Sequence, residues 1–200
     1  MIMEQEAEIV KKAQAGDSEA FGLLYDQYLD QIYRFIYYKV FSKELAEDLT
    51  SDTFLKALSR LSSYNVDKGR FNSWLYQIAR NTVIDHFRTK KTEVSIEDVF
   101  DIPHDERTVE QLDALSGLNK VETYLETLPA RQREVIVLRV WEGKSFSEIA
   151  TMLGGTEGSV KMTFSRSIRE LRKKYGDTVL TWLLLSASLP FVTSSYYIDI

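Results

Sequence analysis

Between Phe21 and Ile36 the apolar side chains stand at Phe21, Leu24, Tyr25, Tyr28, Ile32, Phe35 and Ile36. Steps of three and four put them on one face of a long helix, because an α-helix turns once in about 3.6 residues. Such a face is stable in water only when it is covered, and the flanking sequence supplies helices to cover it. Residues 4–15 read as a short helix ended by Gly16. Asp17 or Ser18 is placed to cap the long helix, with Glu19 and Ala20 in its first turn. A third helix is expected over 43–61 with Ala46, Leu49, Thr53 and Ala57 inward, and a fourth over 71–89 with Phe71, Trp74, Leu75 and Ile78 inward. Residues 62–70, SSYNVDKGR, form the turn between them. The chain holds only three prolines and long stretches without glycine, which favours helix over sheet. Residues 1–91 are therefore expected to fold as a helical bundle.

Several function classes fall away on composition. The chain has no cysteine, so disulfides and thiolate metal sites are excluded and a reducing cytoplasm fits. His86 and His104 are far apart in sequence, which argues against zinc, and no cofactor is expected. The first residues, MIMEQEAEIVKKAQAGD, lack the apolar stretch of a secretion signal. No glycine-rich phosphate loop, nucleophile elbow or catalytic carboxylate and histidine set is present, so an enzyme is not expected. The net charge of −5 hides a segmental pattern. Residues 92–116 hold eight acids and one arginine, whereas 161–174 hold six bases and one acid. The acidic stretch contains Pro103 and no sustained periodicity, and reads as a flexible linker. Its alternative is a short helix at 105–116 extending the second domain.

That second domain is expected over 117–176. Leu118, Val121, Leu125 and Leu128 line one helix; Pro129 ends it and opens the next at its first turn, carrying Val135, Ile136, Leu138 and Arg139. Ser145-Phe146-Ser147-Glu148 is a capping box that starts a short helix with Ile149, Ala150 and Leu153 inward. Gly154-Gly155 make a turn, and Thr156 caps a last helix that buries Val160, Phe164, Ile168 and Leu171. This is the layout of a helix-turn-helix whose last helix carries Lys161, Thr163, Arg166 and Arg169 outward. Lysine and arginine pair with phosphates, and arginine also grips guanine in the major groove. The fourth helix of the first domain combines Arg80, Asn81, Arg88, Lys90 and Lys91 with aromatic neighbours, a composition suited to unstacked bases, while Trp74 itself reads as core.

Three blocks carry a family resemblance. Ala46-Glu47-Asp48-Leu49-Thr50-Ser51-Asp52-Thr53-Phe54 resembles the region 2.2 helix of extracytoplasmic-function sigma factors. Phe71-x-x-Trp74-Leu75-x-x-Ile78-Ala79-Arg80-Asn81-x-x-x-Asp85-x-x-Arg88 resembles their regions 2.3 and 2.4. Leu128-Pro129, Arg133-Glu134-Val135-x-x-Leu138-Arg139, Ser147-Glu148-Ile149-Ala150 and Gly158-Ser159-Val160-Lys161 resemble region 4. The resemblance implies an all-α protein with a region 2 bundle and a region 4 helix-turn-helix joined by the acidic linker. It implies a sigma factor that binds core RNA polymerase, through its largest and second-largest subunits, and reads minus-35 and minus-10 promoter elements. Glu47, Asp48, Asp52 and Leu55 would meet a basic coiled coil of the polymerase. Where relatives often carry glutamine-glutamate, this chain has Ser51-Asp52.

By the same resemblance Asn81 would sit beside a pocket for a flipped minus-10 base, with Arg70, Asp85 and Arg88 along the same strand path and the 62–70 turn setting base preference. Thr156, Ser159, Lys161, Thr163, Arg166 and Arg169 would meet the minus-35 element. Many relatives have arginine where Lys161 stands, and a lysine makes a point contact rather than a fork. An anti-sigma partner covering both working faces is implied as well. The competing reading is a free-standing helix-turn-helix regulator whose N-terminal bundle senses or dimerises.

The tail, 177–200, departs from the family. Residues 178–198 contain no charge and follow Arg172, Lys173 and Lys174. Their length would span a membrane, but Pro190 and a run of serines and threonines interrupt them. Membrane association and docking on the second domain are both open readings, with helix expected on either side of Pro190.

Overall fold

The computed structural model describes residues 2–66, 69–90 and 117–186. The acidic linker with its alternative short helix, and the tail beyond Ser186 with Pro190, lie outside the described residues. The chain divides into two compact units, Met1–Lys90 and Lys91–Ile200. Both are built from helices among the described residues.

The first unit contains α1 (Ile2–Gln14), α2 (Ser18–Val40), α3 (Lys43–Arg60), a 3-10 turn (Leu61–Ser63) and α4 (Phe71–Lys90). Of the two capping candidates, Asp17 is the one used: its carboxylate accepts from the backbone N–H groups of Glu19 and Ala20 at 3.0 and 3.1 Å. Ser42 caps α3 by accepting from Leu45 N. The core takes Leu24, Tyr28, Ile32, Phe35 and Ile36 from α2, with Phe21 and Tyr25 only half-buried at its edge. Ala46, Leu49, Thr53 and Ala57 of α3 are buried as expected. The hydroxyls of Thr50 and Thr53 stay satisfied in that core by donating to Ala46 O and Leu49 O. From α4, Phe71, Leu75 and Ile78 are buried. Trp74 is half-buried and lies against Tyr64 and Phe71 at 5.2 and 5.5 Å between ring centroids.

The second unit contains α5 (Gly117–Thr127), α6 (Ala130–Val140), α7 (Phe146–Leu153) and α8 (Glu157–Ser186). Pro129 takes the N-cap of α6 with φ −50° and ψ 140°, one position before the first turn expected for it. The side chain of Leu118 lies outside the described residues. Two arginines of α6 tie down the ends of neighbouring helices. Arg133 donates to Leu128 O at 3.1 Å and Arg131 to Leu153 O at 2.6 Å, answering carbonyls that helix ends leave without internal partners.

The turn between α7 and α8 uses glycine for its backbone at Gly154 and runs close to the Arg131 guanidinium at Gly155. Gly154 holds φ 65°, and a Cβ on Gly155 would stand 2.7 Å from Arg131 Nη2. The Ser145–Glu148 capping box is present, with Glu148 N donating to Ser145 Oγ and Ser145 N donating to Glu148 Oε2. Along α8, Val160 and Leu171 are buried while Phe164 and Ile168 are only half-buried, since a helix of this kind leaves its edges to solvent.

The helix α8 does not end with the basic run. It breaks at Gly176, which has φ 76°, and resumes to Ser186. Arg172 Nε meets Asp177 Oδ1 across the break at 2.7 Å. Beyond it Val179 and Leu183, four residues apart, are 3% and 0% exposed. One side of this segment is thus packed away through Val179 and Leu183, whereas Trp182, Leu184 and Leu185 stay exposed at 38%, 58% and 51%. Truncation after Gly176 should cost the second unit about 3 kcal/mol, the scale for burying one valine and one leucine with allowance for a compact unfolded chain. Hydrogen exchange on α5 in the full and truncated chains measures this; unchanged protection would mean that the extension adds nothing to the unit.

Candidate functional site

Three exposed faces collect the residues singled out by sequence, two on the first unit and one on the second. On α3 the side opposite the core presents Glu47, Asp48, Asp52 and Leu55, all exposed. Leu55 is 64% exposed and Leu58, one turn on, 50%. An apolar ridge flanked by acids is a face made to be covered by a partner with basic and apolar groups. Asp48 and Asp52 take part in no ion pair among the described residues. Lys56, one turn after Asp52, reaches instead to the hydroxyl of Thr82 on α4 at 3.3 Å.

On α4 the residues Asn81, Asp85 and Arg88 are exposed and fall at steps of four and three, so they share one side of the helix. Arg88 pairs with Asp85 at 3.1 Å. Asp85 thus offsets the charge of Arg88 on this exposed side. Arg70 is exposed just before α4 and lies on the rim of a cavity of about 780 Å³ lined by α1 and by residues 62–66 and 69–72. Asn65, Asn72, Lys11 and Glu6 also line it.

Sequence reasoning missed what holds that segment in place. The Gln14 amide on α1 donates to Leu61 O at 2.9 Å and Tyr64 O at 2.8 Å. Tyr64 closes the turn by donating its phenol to Gly69 O at 2.8 Å. Tyr28 donates to Glu6 at 2.7 Å, and burial with the Glu6 carboxylate pushes its phenol well above the ordinary value, keeping it a donor. A glutamine in an exposed helix pattern carries no local signal of such a role; it follows from how α1 crosses the turn.

On α8 the structure redistributes the outward positions. Arg166 and Arg169 are exposed as expected. Lys161 is exposed but held to one flank, its ammonium 2.6 Å from Glu157 and 6.0 Å from the centre of the Phe146 ring. Thr163 is half-buried rather than outward, and its hydroxyl donates to Ser159 O at 2.9 Å. Thr156 is exposed and is occupied as a cap, its hydroxyl oxygen accepting from Ser159 N at 3.2 Å. The exposed Met162, absent from the sequence-based set, stands between Lys161 and Thr163 with 54% of its surface open. Arg172, Lys173 and Lys174, all exposed, continue the basic run along α8 on more than one side of the helix. The arrangement suits a polyanion along one helix.

Comparison with known proteins agrees with both units. The family model for Sigma-70 region 2 matches residues 24–93, and that for Sigma-70 region 4 matches residues 118–171. A chain with both is a two-domain initiation factor of the sigma-70 type, and a free-standing helix-turn-helix regulator is not favoured. The ECF RNA polymerase sigma factor BldN of Streptomyces coelicolor is 41% identical over 85% of this chain and 66% of its own length. The ECF RNA polymerase sigma factor SigX of Bacillus subtilis is 35% identical over 78% of this chain and 83% of its own length. The sigma factor RpoE of Bartonella quintana, solved in complex with the anti-sigma factor NepR, aligns with a TM-score of 0.61 and 27% identity. That alignment covers 77% of this chain and 95% of that one. This chain belongs to the extracytoplasmic-function group of the sigma-70 family, a family of regulatory proteins. As for the tail, no helix among the described residues is long and apolar enough to cross a membrane, and the burial of Val179 and Leu183 speaks for docking instead.

Proposed function

We propose that this sigma factor works in the cytoplasm by dividing initiation among its segments: 1–91 for core polymerase and the minus-10 element, 92–116 as the connecting linker, 117–176 for the minus-35 element, and 177–200 as an apolar extension. The α3 face with Glu47, Asp48, Asp52 and Leu55 docks on a basic, partly apolar surface of core RNA polymerase. The α4 side with Asn81 and Arg88, steadied by Asp85 and joined by Arg70 at the cavity rim, follows the unpaired minus-10 strand. The α8 side with Arg166 and Arg169 enters the minus-35 major groove, with Lys161, Thr163, Thr156 and Ser159 at its flanks and start. The observation that carries the reading is the presence, in one chain matching both regions, of an exposed acidic face on α3, an exposed polar side on α4 with Asn81 beside the Asp85–Arg88 pair, and an exposed basic side on α8. The linker's roughly 25 residues reach up to about 80 Å when extended, enough for elements some 17 base pairs apart, about 55 Å.

Run-off transcription with purified core enzyme and a pooled promoter library tests it. Transcripts from promoters with a shared spacing of two elements are expected; core enzyme that gains no promoter selectivity would refute it. Replacing Arg166 with alanine should weaken holoenzyme binding to the upstream element by about 1–3 kcal/mol if the guanidinium grips a base edge. The loss should vanish on a duplex scrambled at that element, and equal losses on both duplexes would assign Arg166 to phosphate alone. An anti-sigma partner, of the kind bound to the Bartonella relative, would cover the α3 and α8 faces. Its presence should then block both core binding and promoter binding.

A further inference from the structure

Four side chains fix the phase of α8: Val160, Ser167 and Leu171 are essentially buried at 1%, 0% and 0%, and Phe164 is half-buried. At about 100° per residue, Met162 lies about 180° around the helix from Leu171 and about 160° from Val160. It is therefore on the outermost line of the helix, which it shares with Gly158 one turn before and Arg169 two turns after. Lys161 and Thr163 are turned to either flank and already engaged, with Glu157 and Ser159 O respectively. Gly158 adds no bulk: a Cβ there would meet nothing within 4 Å. Met162 is the large apolar side chain on this side of the first two turns of α8, and it is 54% exposed. The N-terminal turns of a recognition helix are those that reach base edges. A flexible thioether has no hydrogen bond to offer there, and the apolar group that the major groove presents is the C5 methyl of thymine.

We propose that Met162 selects thymine within the minus-35 element by packing its thioether side chain on the C5 methyl group. The inference rests on the reading of α8 as the minus-35 helix and deepens it by naming the base feature recognised. The contact removes a methyl from water at little cost in specificity for hydrogen-bonding groups, so it distinguishes thymine from its demethylated counterpart by a factor that is modest and measurable.

The test uses the full chain with core polymerase and an upstream element recovered from a randomised duplex library. Each thymine of the element is replaced singly by deoxyuridine, which deletes only the methyl. For the unmodified protein one replacement should weaken binding about fourfold, the factor for withdrawing one methyl-sized group from water, while the others leave affinity unchanged. Met162→Ala should bind more weakly and lose the response at that one position. Met162→Leu, which keeps an apolar side chain of similar volume, should retain it. In the same position 5-methylcytosine should bind better than cytosine to the unmodified protein and equally to Met162→Ala. An element without thymine, a flat deoxyuridine scan, or a penalty that persists in Met162→Ala would overturn the proposal. Arg166→Ala separates this failure from failure of the underlying reading. If Arg166→Ala weakens binding while the scan is flat, only the methyl contact is wrong; if the library yields no element and Arg166→Ala changes nothing, α8 is not the minus-35 helix.

Discussion

Reversing Asp48 and Asp52 to lysine should abolish co-purification with core RNA polymerase while leaving the fold intact. Both carboxylates are exposed, four residues apart on the side of α3 that faces away from Leu49 and Thr53. Turning them into like charges against a basic surface costs several kcal/mol, which is on the order of a hundredfold or more in affinity. The internal consequences are small. A lysine at position 48 stands four residues after Glu44, a favourable spacing, and one at position 52 stands four before Lys56, an unfavourable one, and such pairs are worth about 0.2–0.5 kcal/mol each way. No ion pair among the described residues is lost. Thermal unfolding by far-UV circular dichroism should therefore be nearly unchanged beside a missing band in the pull-down. Normal co-purification of the double variant would remove α3 from the docking surface. Leu55→Ala would refine the picture: its exposed side chain contributes to binding only if an apolar group of the partner covers it.

Asn81→Ala is the second large effect, and it should appear in promoter opening rather than in closed-complex binding. The amide is exposed on α4, on the same side as Asp85 and Arg88. It both donates and accepts, so it can answer the edge of an unpaired base that only the opened strand exposes. Loss of one such contact, absent from the closed complex and already formed in the transition state for opening, slows opening about tenfold if it is worth about 1.4 kcal/mol. Alanine is the better helix former at an exposed site, so the substitution does not weaken α4. Permanganate footprinting checks the expectation: thymines near the start site should become reactive slowly on duplex promoters and normally on templates melted in advance. Duplex promoters that open at the usual rate would show that Asn81 is not a melting residue.

The helices and their inward faces were legible because they depend on periodicity, which is local. Leu24, Tyr28, Ile32, Phe35 and Ile36 are buried since their spacing matches the helical turn and no other secondary structure would align them. The same holds for the cap at Asp17, the capping box at Ser145 and Glu148, and the turn at Gly154-Gly155, where the chemistry of a few adjacent residues decides the backbone. The α3 acids were legible too: with Ala46, Leu49 and Thr53 inward, Glu47, Asp48 and Asp52 have nowhere to go but out.

Other features needed the tertiary structure, because they depend on which elements meet. Nothing near Gln14 in sequence reveals that its amide will hold Leu61 O and Tyr64 O, some fifty residues away. Arg131 and Arg133 look like an ordinary basic pair until α6 packs beside the ends of α7 and α5 and their guanidinium groups find open carbonyls. The tail composition fitted docking and membrane association alike; burial of Val179 and Leu183 after the break at Gly176 favoured the first, since an apolar run goes where a neighbouring surface excludes water. On α8 charge was a poor guide to the reading side. Sequence alone determined that the helix is basic and, through Val160 and Leu171, the phase that places Met162 outward; packing decided that Ser167 would be fully buried and that Phe164 and Ile168 would be only half-buried. Only the packed structure decided that Lys161 would turn to Glu157 and Phe146 and that Thr163 would turn back to its own helix. The physical reason is that a helix pattern specifies directions, whereas partners are specified by what the fold brings within reach.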